Sequence, residues 1–303
     1  MRGADDLWSQ RDLVYLDWIL DTSFSGIVLG GLYALMSTGL TFVWGTVGIL
    51  NFAQGAIITC GAYAAWIVLT SWGLGYLFAF LPALMVAFVL GILCELLVFR
   101  PLRNKPQSGY NSIYASAGVG IALSALLLII FGPRRKSVPP MVPGELRIWG
   151  AVLSWQSLLI IFVSSLSLII FWVFLKKNRY GIAMRAVAQD MEAARIVGID
   201  LDRIYLLTLG LGALMAGAAG LMMGPVFYLW PTLGDIPELK SFIIVVFGGL
   251  GSIRGTILAS FILGLVEAFA GYFLGMGWSL PAMFLFMMTI LIIKPSGLMG
   301  KSV

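Results

Sequence analysis

Histidine is absent from all 303 residues. That removes imidazole metal ligands, His-based triads and His proton relays together. Cysteine is nearly absent: Cys60 and Cys94 both fall inside apolar runs, so two buried thiols are expected rather than a structural disulfide. Charge is scarce too. Asp, Glu, Lys and Arg make up 11% of the chain, where an ordinary soluble domain carries about 25%. None of the four occurs between Asp21 and Glu95. No metal cluster, acid pair or nucleophile–base pair is present to support a membrane-embedded enzyme. A secretory signal is lacking as well, because residues 1–21 are mixed and acidic, with Asp5, Asp6, Asp12, Asp17 and Asp21 against Arg2 and Arg11. The first apolar run is therefore expected to act as its own insertion signal.

What remains is built for lipid. The chain is 60% hydrophobic with a mean hydropathy of +0.99. A span needs about 20 apolar residues, and long runs occupy residues 22–44, 47–72, 76–99, 112–131, 151–175, 204–230, 256–274 and 280–293. Continuous runs of this length exclude a β-barrel, whose strands alternate over short segments. The expected fold is an all-α polytopic membrane protein of about eight transmembrane helices in one domain, residues 1–303. A ninth run, 241–251, is too short for a straight crossing. It ends in Gly248-Gly249-Leu250-Gly251 and is expected to be a broken or re-entrant helix packed inside protein. The 36 glycines include Gly26 and Gly30, and Gly212, Ala216, Gly220 and Gly224. Four-residue spacing of small side chains lets helix backbones approach closely in lipid.

The net charge of +5 sits between apolar runs, not on a soluble basic surface, so no nucleic-acid partner is expected. Cytoplasmic loops collect Lys and Arg. Arg100, Arg103 and Lys105 follow the third run, and residues 176–203 follow the fifth; two crossings separate them, so both belong on one side. The expected topology puts that side in the cytoplasm, with the acidic N-terminus outside. The loop carrying Arg134, Arg135, Lys136 and Arg147 then lies outside despite its charge. The C-terminus, with Lys294 and Lys301, is cytoplasmic if residues 241–251 complete a crossing.

Residues 176–203 hold six cations and four acids between apolar runs. Spacing predicts a helix over 182–197, with Tyr180, Met184, Val187, Met191 and Ala194 on one face and Arg185, Gln189, Glu192 and Arg195 on another. Gly198 provides its stop, since glycine tolerates the left-handed conformation that ends helices. From spacing alone, such a helix either docks on a protein partner or lies flat on anionic lipid.

Four blocks in order resemble the permeases of branched-chain (hydrophobic) amino-acid ABC importers, covering most of the chain from about Ser25. The first runs through Gly39-Leu40-Thr41-Phe42-Val43-Trp44-Gly45 to Asn51-Phe52-Ala53-Gln54-Gly55 and Gly61-Ala62-Tyr63. The second is Glu95 with Arg100-Pro101-Leu102-Arg103. The third runs from Arg179-Tyr180-Gly181 to Glu192-Ala193-Ala194-Arg195-Ile196-Val197-Gly198, an EAA-x-x-x-G pattern. The last is Val245-Val246-Phe247-Gly248-Gly249-Leu250-Gly251-Ser252. The resemblance implies a multi-pass permease subunit in a bacterial inner membrane. It implies a second related permease, two ABC ATPase subunits and an extracytoplasmic solute-binding protein as partners, besides membrane lipid. It implies that 176–203 is a cytoplasmic coupling loop, with Met184, Val187, Met191, Glu192, Ala193, Ala194 and Gly198 presented to the ATPase. ATP and Mg²⁺ then belong to the partner ATPase, and no cofactor is expected in this chain. Gly300-Lys301-Ser302 only mimics the end of a phosphate-binding loop, because Pro295 stands where a glycine is required.

One departure bears on the solute. The family commonly has His-Gly-Glu where this chain has Gln54-Gly55-Ala56, which removes titrating groups near the membrane middle. Asn51 and Gln54 are three residues apart, so a helical second span would set both amides on one face, beside open space at Gly55 and Gly61. They are the leading candidates for the substrate path, the alternative being amides that bond between helices as packing elements. Glu267, the only acid in its run, is a weaker one, with a snorkelling or interhelix-bonded structural role as the alternative; Glu95, close to Arg100, is expected to be structural. The rival class is an ATP-independent channel or secondary transporter, which would suit a discontinuous helix. The lack of His, the scarcity of intramembrane acids for ion coupling, and the 176–203 loop speak against it.

Overall fold

The computed structural model describes residues 2–103, 105–148 and 151–300, with side chains in the first helix described from Trp18 onward. Helices dominate, because in hydrocarbon every backbone N–H and C=O must find a partner within the chain. The order is α1 (Arg2–Val47), α2 (Gln54–Thr70), α3 (Tyr76–Cys94), a π turn (Glu95–Phe99) and the short α4 (Arg100–Leu102). Then come α5 (Ser108–Phe131), a hairpin of β1 (Glu145–Ile148) and β2 (Ala151–Ser154), α6 (Trp155–Lys177), α7 (Arg179–Gln189) and α8 (Met191–Ile196). The chain closes with α9 (Leu201–Met223), α10 (Asp235–Gly248), α11 (Ile253–Phe273), a 3₁₀ turn (Met276–Trp278) and α12 (Ser279–Ile293). Seven of these segments are long and apolar enough to cross a membrane among the described residues, and the shorter apolar α2 makes an eighth candidate.

Four boundaries differ from the sequence expectation. The run 47–72 is not one helix: α1 ends at Val47, Gly48 adopts a positive φ of 71°, and α2 starts only at Gln54. The run 204–230 ends as helix at Met223, where Gly224-Pro225 turns the chain. Residues 151–154 are the second strand of the hairpin, and α6 begins after Ser154, whose hydroxyl accepts from the Ser157 N–H at 3.1 Å. The short helix α10 starts six residues earlier than expected, yet its 14 residues span only about 21 Å at 1.5 Å per residue.

Helices α1, α2 and α9 form the middle of the bundle, and glycine is what lets them meet. A methyl at Gly26 or Gly30 would come within 2.9 Å of the Cα of Leu265 or Phe261 on α11. One at Gly61 would come within 2.9 Å of Gly217 Cα, and one at Gly220 would collide with the Ile58 carbonyl. The spacing expected to bring backbones together does so. Thr41 and Thr256 add a hydroxyl–hydroxyl bond of 2.7 Å between α1 and α11. By contrast α5 and α12 present mostly exposed apolar side chains, Ile121, Ile129, Leu285 and Ile292 among them, as surfaces facing lipid or another subunit do.

The bundle has two distinct ends. At one, Arg100 and Arg103 pair with Asp202, each at 2.8 Å, which ties the basic loop after α3 to the start of α9. The tail 297–300 lies there too, its Leu298 and Met299 N–H groups donating to the Phe247 and Gly248 carbonyls at 2.8 and 3.1 Å. The Gly248-Gly249 pair leaves room for that contact, since side chains on both would strike tail or α11 backbone. At the other end, Lys136 bridges Leu229, and the Tyr76 hydroxyl donates to the Pro139 carbonyl. The two basic stretches expected to share a side do so.

Candidate functional site

Residues 179–199 form two short helices rather than the single helix expected over 182–197. Asp190 separates them in an extended conformation (φ −155°), and its carboxylate accepts from the Ala193 N–H at 2.9 Å. Aspartate gains more from capping a helix start than from lying inside a helix, so the chain breaks and restarts there. Glu192 follows in the first turn of α8, where a carboxylate suits the helix dipole. The far end closes with Gly198 at φ +86°. The Gly198 N–H donates to the Arg195 carbonyl and the Ile199 N–H to the Ala194 carbonyl, both at 3.1 Å, the paired bonds of a glycine-terminated helix. The E-A-A-x-x-x-G pattern thus encodes one capped helix of fixed length.

The seven residues singled out in this loop divide. Met184, Val187 and Ala194 are buried against the chain's own bundle, so the apolar face expected to enter a partner docks the loop instead. Met191 is half exposed, with the Tyr205 hydroxyl donating to its sulfur. Glu192, Ala193 and Gly198 face outward. Beside them stand two apolar side chains that the sequence reading passed over, Ile196 at 86% exposure and Val197 at 75%. They form an adjacent exposed aliphatic pair at the tip of α8. Their signal was available in the same pattern, as the apolar pair just before its glycine.

Asn51 and Gln54 do not share a helical face. Asn51 precedes α2, and its side-chain oxygen accepts from the Ala53 N–H at 3.0 Å, closing a local turn at the helix entrance. Gln54 is buried where α1, α2 and α9 cross; its amide donates to the Gly212 carbonyl at 3.3 Å, and its Oε1 has no partner. The space expected beside them is filled. Gly55 packs on Gly234 and Glu238, and Gly61 on Gly217. Both amides fit as packing and turn elements.

Glu267 lies apart from them. Its carboxylate accepts from the Tyr33 hydroxyl and from Lys240, each at 2.5 Å, while Lys240 also donates to Tyr33 at 2.8 Å. The three side chains come from α1, α10 and α11 and are nearly buried, with Lys240 and Glu267 at 13% and 11% exposure. Lys240 sits immediately before the run 241–251 and is not singled out by any motif or spacing. They form part of the wall of a cavity of about 420 Å³ whose other walls are largely apolar, from Leu32, Met36, Met223, Ile236 and Leu280. Neither Asn51 nor Gln54 lines it. Glu95, 1% exposed, pairs with Arg103 and belongs to the network at the loop end.

Residues 22–294 match the family described as the permease component of the branched-chain amino acid transport system. The chain is 30% identical over 300 residues to the high-affinity branched-chain amino acid transport system permease protein LivH of Salmonella typhimurium, covering 94% of this chain and 96% of that one. It is 30% identical over 291 residues to the corresponding protein BraD of Pseudomonas aeruginosa, covering 91% and 94%. Among solved structures, PsaBC from Streptococcus pneumoniae in complex with Fab aligns with a TM-score of 0.50 and 14% identity, over 91% of this chain and 92% of that one. That likeness concerns the fold alone.

Proposed function

The chain belongs to the branched-chain amino acid permease family, and from that premise we propose that it is one membrane half of an ATP-driven importer for branched-chain or other hydrophobic amino acids, or a related small organic solute. A second related permease completes the path, two ABC ATPase subunits bind ATP and Mg²⁺, and an extracytoplasmic binding protein delivers the solute. The assembly works in the bacterial cytoplasmic membrane, with residues 176–203 inside.

The observation that carries this reading is α8. Its start is capped by Asp190, its end is fixed by Gly198, its inner side is seated on the bundle through Ala194, and Ile196 and Val197 stand out from its tip. A rigid strut of this kind can transmit an ATPase motion to the helices on which it is seated. Met184 and Val187 hold α7, and with it the strut, to the bundle. Met191, Glu192 and Ala193, with Ile196 and Val197, offer the contact surface.

The test is Gly198→Val. A β-branched residue is strained at a positive φ, although nothing lies within 4 Å of the added Cβ. The expected result is normal insertion and assembly with uptake and substrate-stimulated ATPase activity reduced together. Normal values for both would remove α8 from coupling. Cysteines placed at Ser137 and Gln189 test the orientation in intact cells, where an impermeant reagent should label the first and spare the second. Uptake that persists without any ATPase subunit would favour the channel or secondary-transporter reading instead.

A further inference from the structure

We propose that the cavity floored by Tyr33, Lys240 and Glu267 binds an α-amino-acid zwitterion, with Glu267 taking its ammonium and Lys240 its carboxylate. The assignment rests on the importer reading and names the place where the chain holds its solute. Three observations converge on it.

First, the cavity has the make-up of a small-molecule site. It measures about 420 Å³, within the usual range of roughly 300 to 1,000 Å³ for such sites, and it combines apolar walls with a few convergent polar groups. Second, the polar groups suit one charge pattern. Lys240 and Glu267 neutralise each other in the absence of ligand, at 2.5 Å. A zwitterion can enter between them and leave every charge paired, whereas a cation or an anion alone would strand one buried charge, which is costly. Third, Ser279 at the start of α12 is buried at 5% exposure, lines the same cavity, and its hydroxyl has no partner. A buried hydroxyl left unsatisfied costs free energy, and a ligand carboxylate or ammonium would satisfy it.

The rest of the lining accounts for the side chain of such a solute. Leu32, Ile236 and Leu280 supply fixed aliphatic surface, and Met36, Met223 and Met276 supply adaptable surface. Methionine adjusts to differing shapes, so a range of branched and unbranched apolar side chains would be accepted. The cavity lies toward the end of the bundle opposite α8, beside Trp230 and the 3₁₀ turn at Met276. A solute delivered from outside would reach it before any element near the ATPase.

The alternative is that the ion pair only holds α1, α10 and α11 together. The complete importer, assembled with its partner permease, ATPases and binding protein in proteoliposomes, separates the two roles. In the double variant Lys240→Met/Glu267→Met both charges are removed and the core stays apolar, a change buried ion pairs often tolerate. The complex should co-purify intact while leucine uptake falls at least roughly tenfold. Ile236→Trp, at a half-exposed position on the cavity wall, should block uptake by filling the space. Met223→Ala should shift the phenylalanine-to-leucine uptake ratio toward phenylalanine by roughly tenfold, which loss of a structural tie would not do; this ratio decides if the double variant fails to assemble. Wild-type uptake in the double variant, or in Ile236→Trp, would overturn the assignment and leave the cavity to a lipid chain or to nothing. A wild-type importer that takes up no amino acid would overturn the importer reading, and the assignment with it.

Discussion

Two ion-paired clusters in this chain use the same chemistry in opposite surroundings. In the interior cluster, Lys240 and Glu267 meet at 13% and 11% exposure with Tyr33 bonded to both. In the end cluster, Arg100 and Asp202 meet at 54% and 52% exposure, and Arg103 reaches from Asp202 to the buried Glu95. Water screens the outer pair and can solvate either partner if the other is lost. It does so far less for the inner pair, which is nearly buried in the wall of a largely apolar cavity, so each inner charge depends more on its partner. The difference teaches where a charged residue has consequences beyond its own contact.

Removing one partner at a time grades this dependence. Lys240→Met leaves Glu267 without a counter-charge, with only the Tyr33 hydroxyl donating to it in a largely apolar wall, and a loss of about 3–5 kcal/mol is expected for an uncompensated buried charge. It should show as a large fall in the unfolding temperature of the detergent-solubilised permease. Arg103→Met strips the partner from the buried Glu95 while Asp202 keeps Arg100. Its expected cost is intermediate, roughly 1–3 kcal/mol for a buried charged group left unsatisfied. Asp202→Asn touches only the exposed contacts of Arg100 and Arg103, and a change under about 1 kcal/mol is expected. Equal shifts for Lys240→Met and Asp202→Asn would mean that burial does not separate the clusters. Raising the salt concentration sharpens the contrast, since it should weaken the outer pair and barely affect the inner one.

Much of the architecture was legible in the residues, and so was part of the site. Long uncharged runs gave the crossings because lipid leaves the backbone few alternatives to a helix. Small residues four apart located the contacts of α1, α9 and α11. In the loop, Gly198 was recognisable as a helix stop because a left-handed residue is nearly always glycine. The break at Asp190 is also encoded there, as a capping residue just before Glu192 and Ala193, although the apolar spacing across 182–197 reads as one continuous stripe. The pairing of Asn51 with Gln54 failed for a related reason. Helical spacing was assumed across Gly48 to Ala53, where the chain is not helical and α1 has already ended.

Sequence alone determined that the chain lives in a membrane, that the basic stretches at 100–105 and 176–203 share one side, and that Gly198 ends the loop helix. These follow from local rules: hydropathy over one span, charge over one loop, caps over one turn. Only the tertiary structure decided which side of α7 and α8 faces the bundle, and that Lys240 and Glu267, 27 residues apart, close on each other and on Tyr33, 207 residues from Lys240. No local pattern encodes that meeting. It arises because Gly26, Gly30 and Gly264 let α1 and α11 come close enough that a lysine on the intervening short helix has an acid within reach, and the low dielectric around them makes that pairing the arrangement with the least unsatisfied charge.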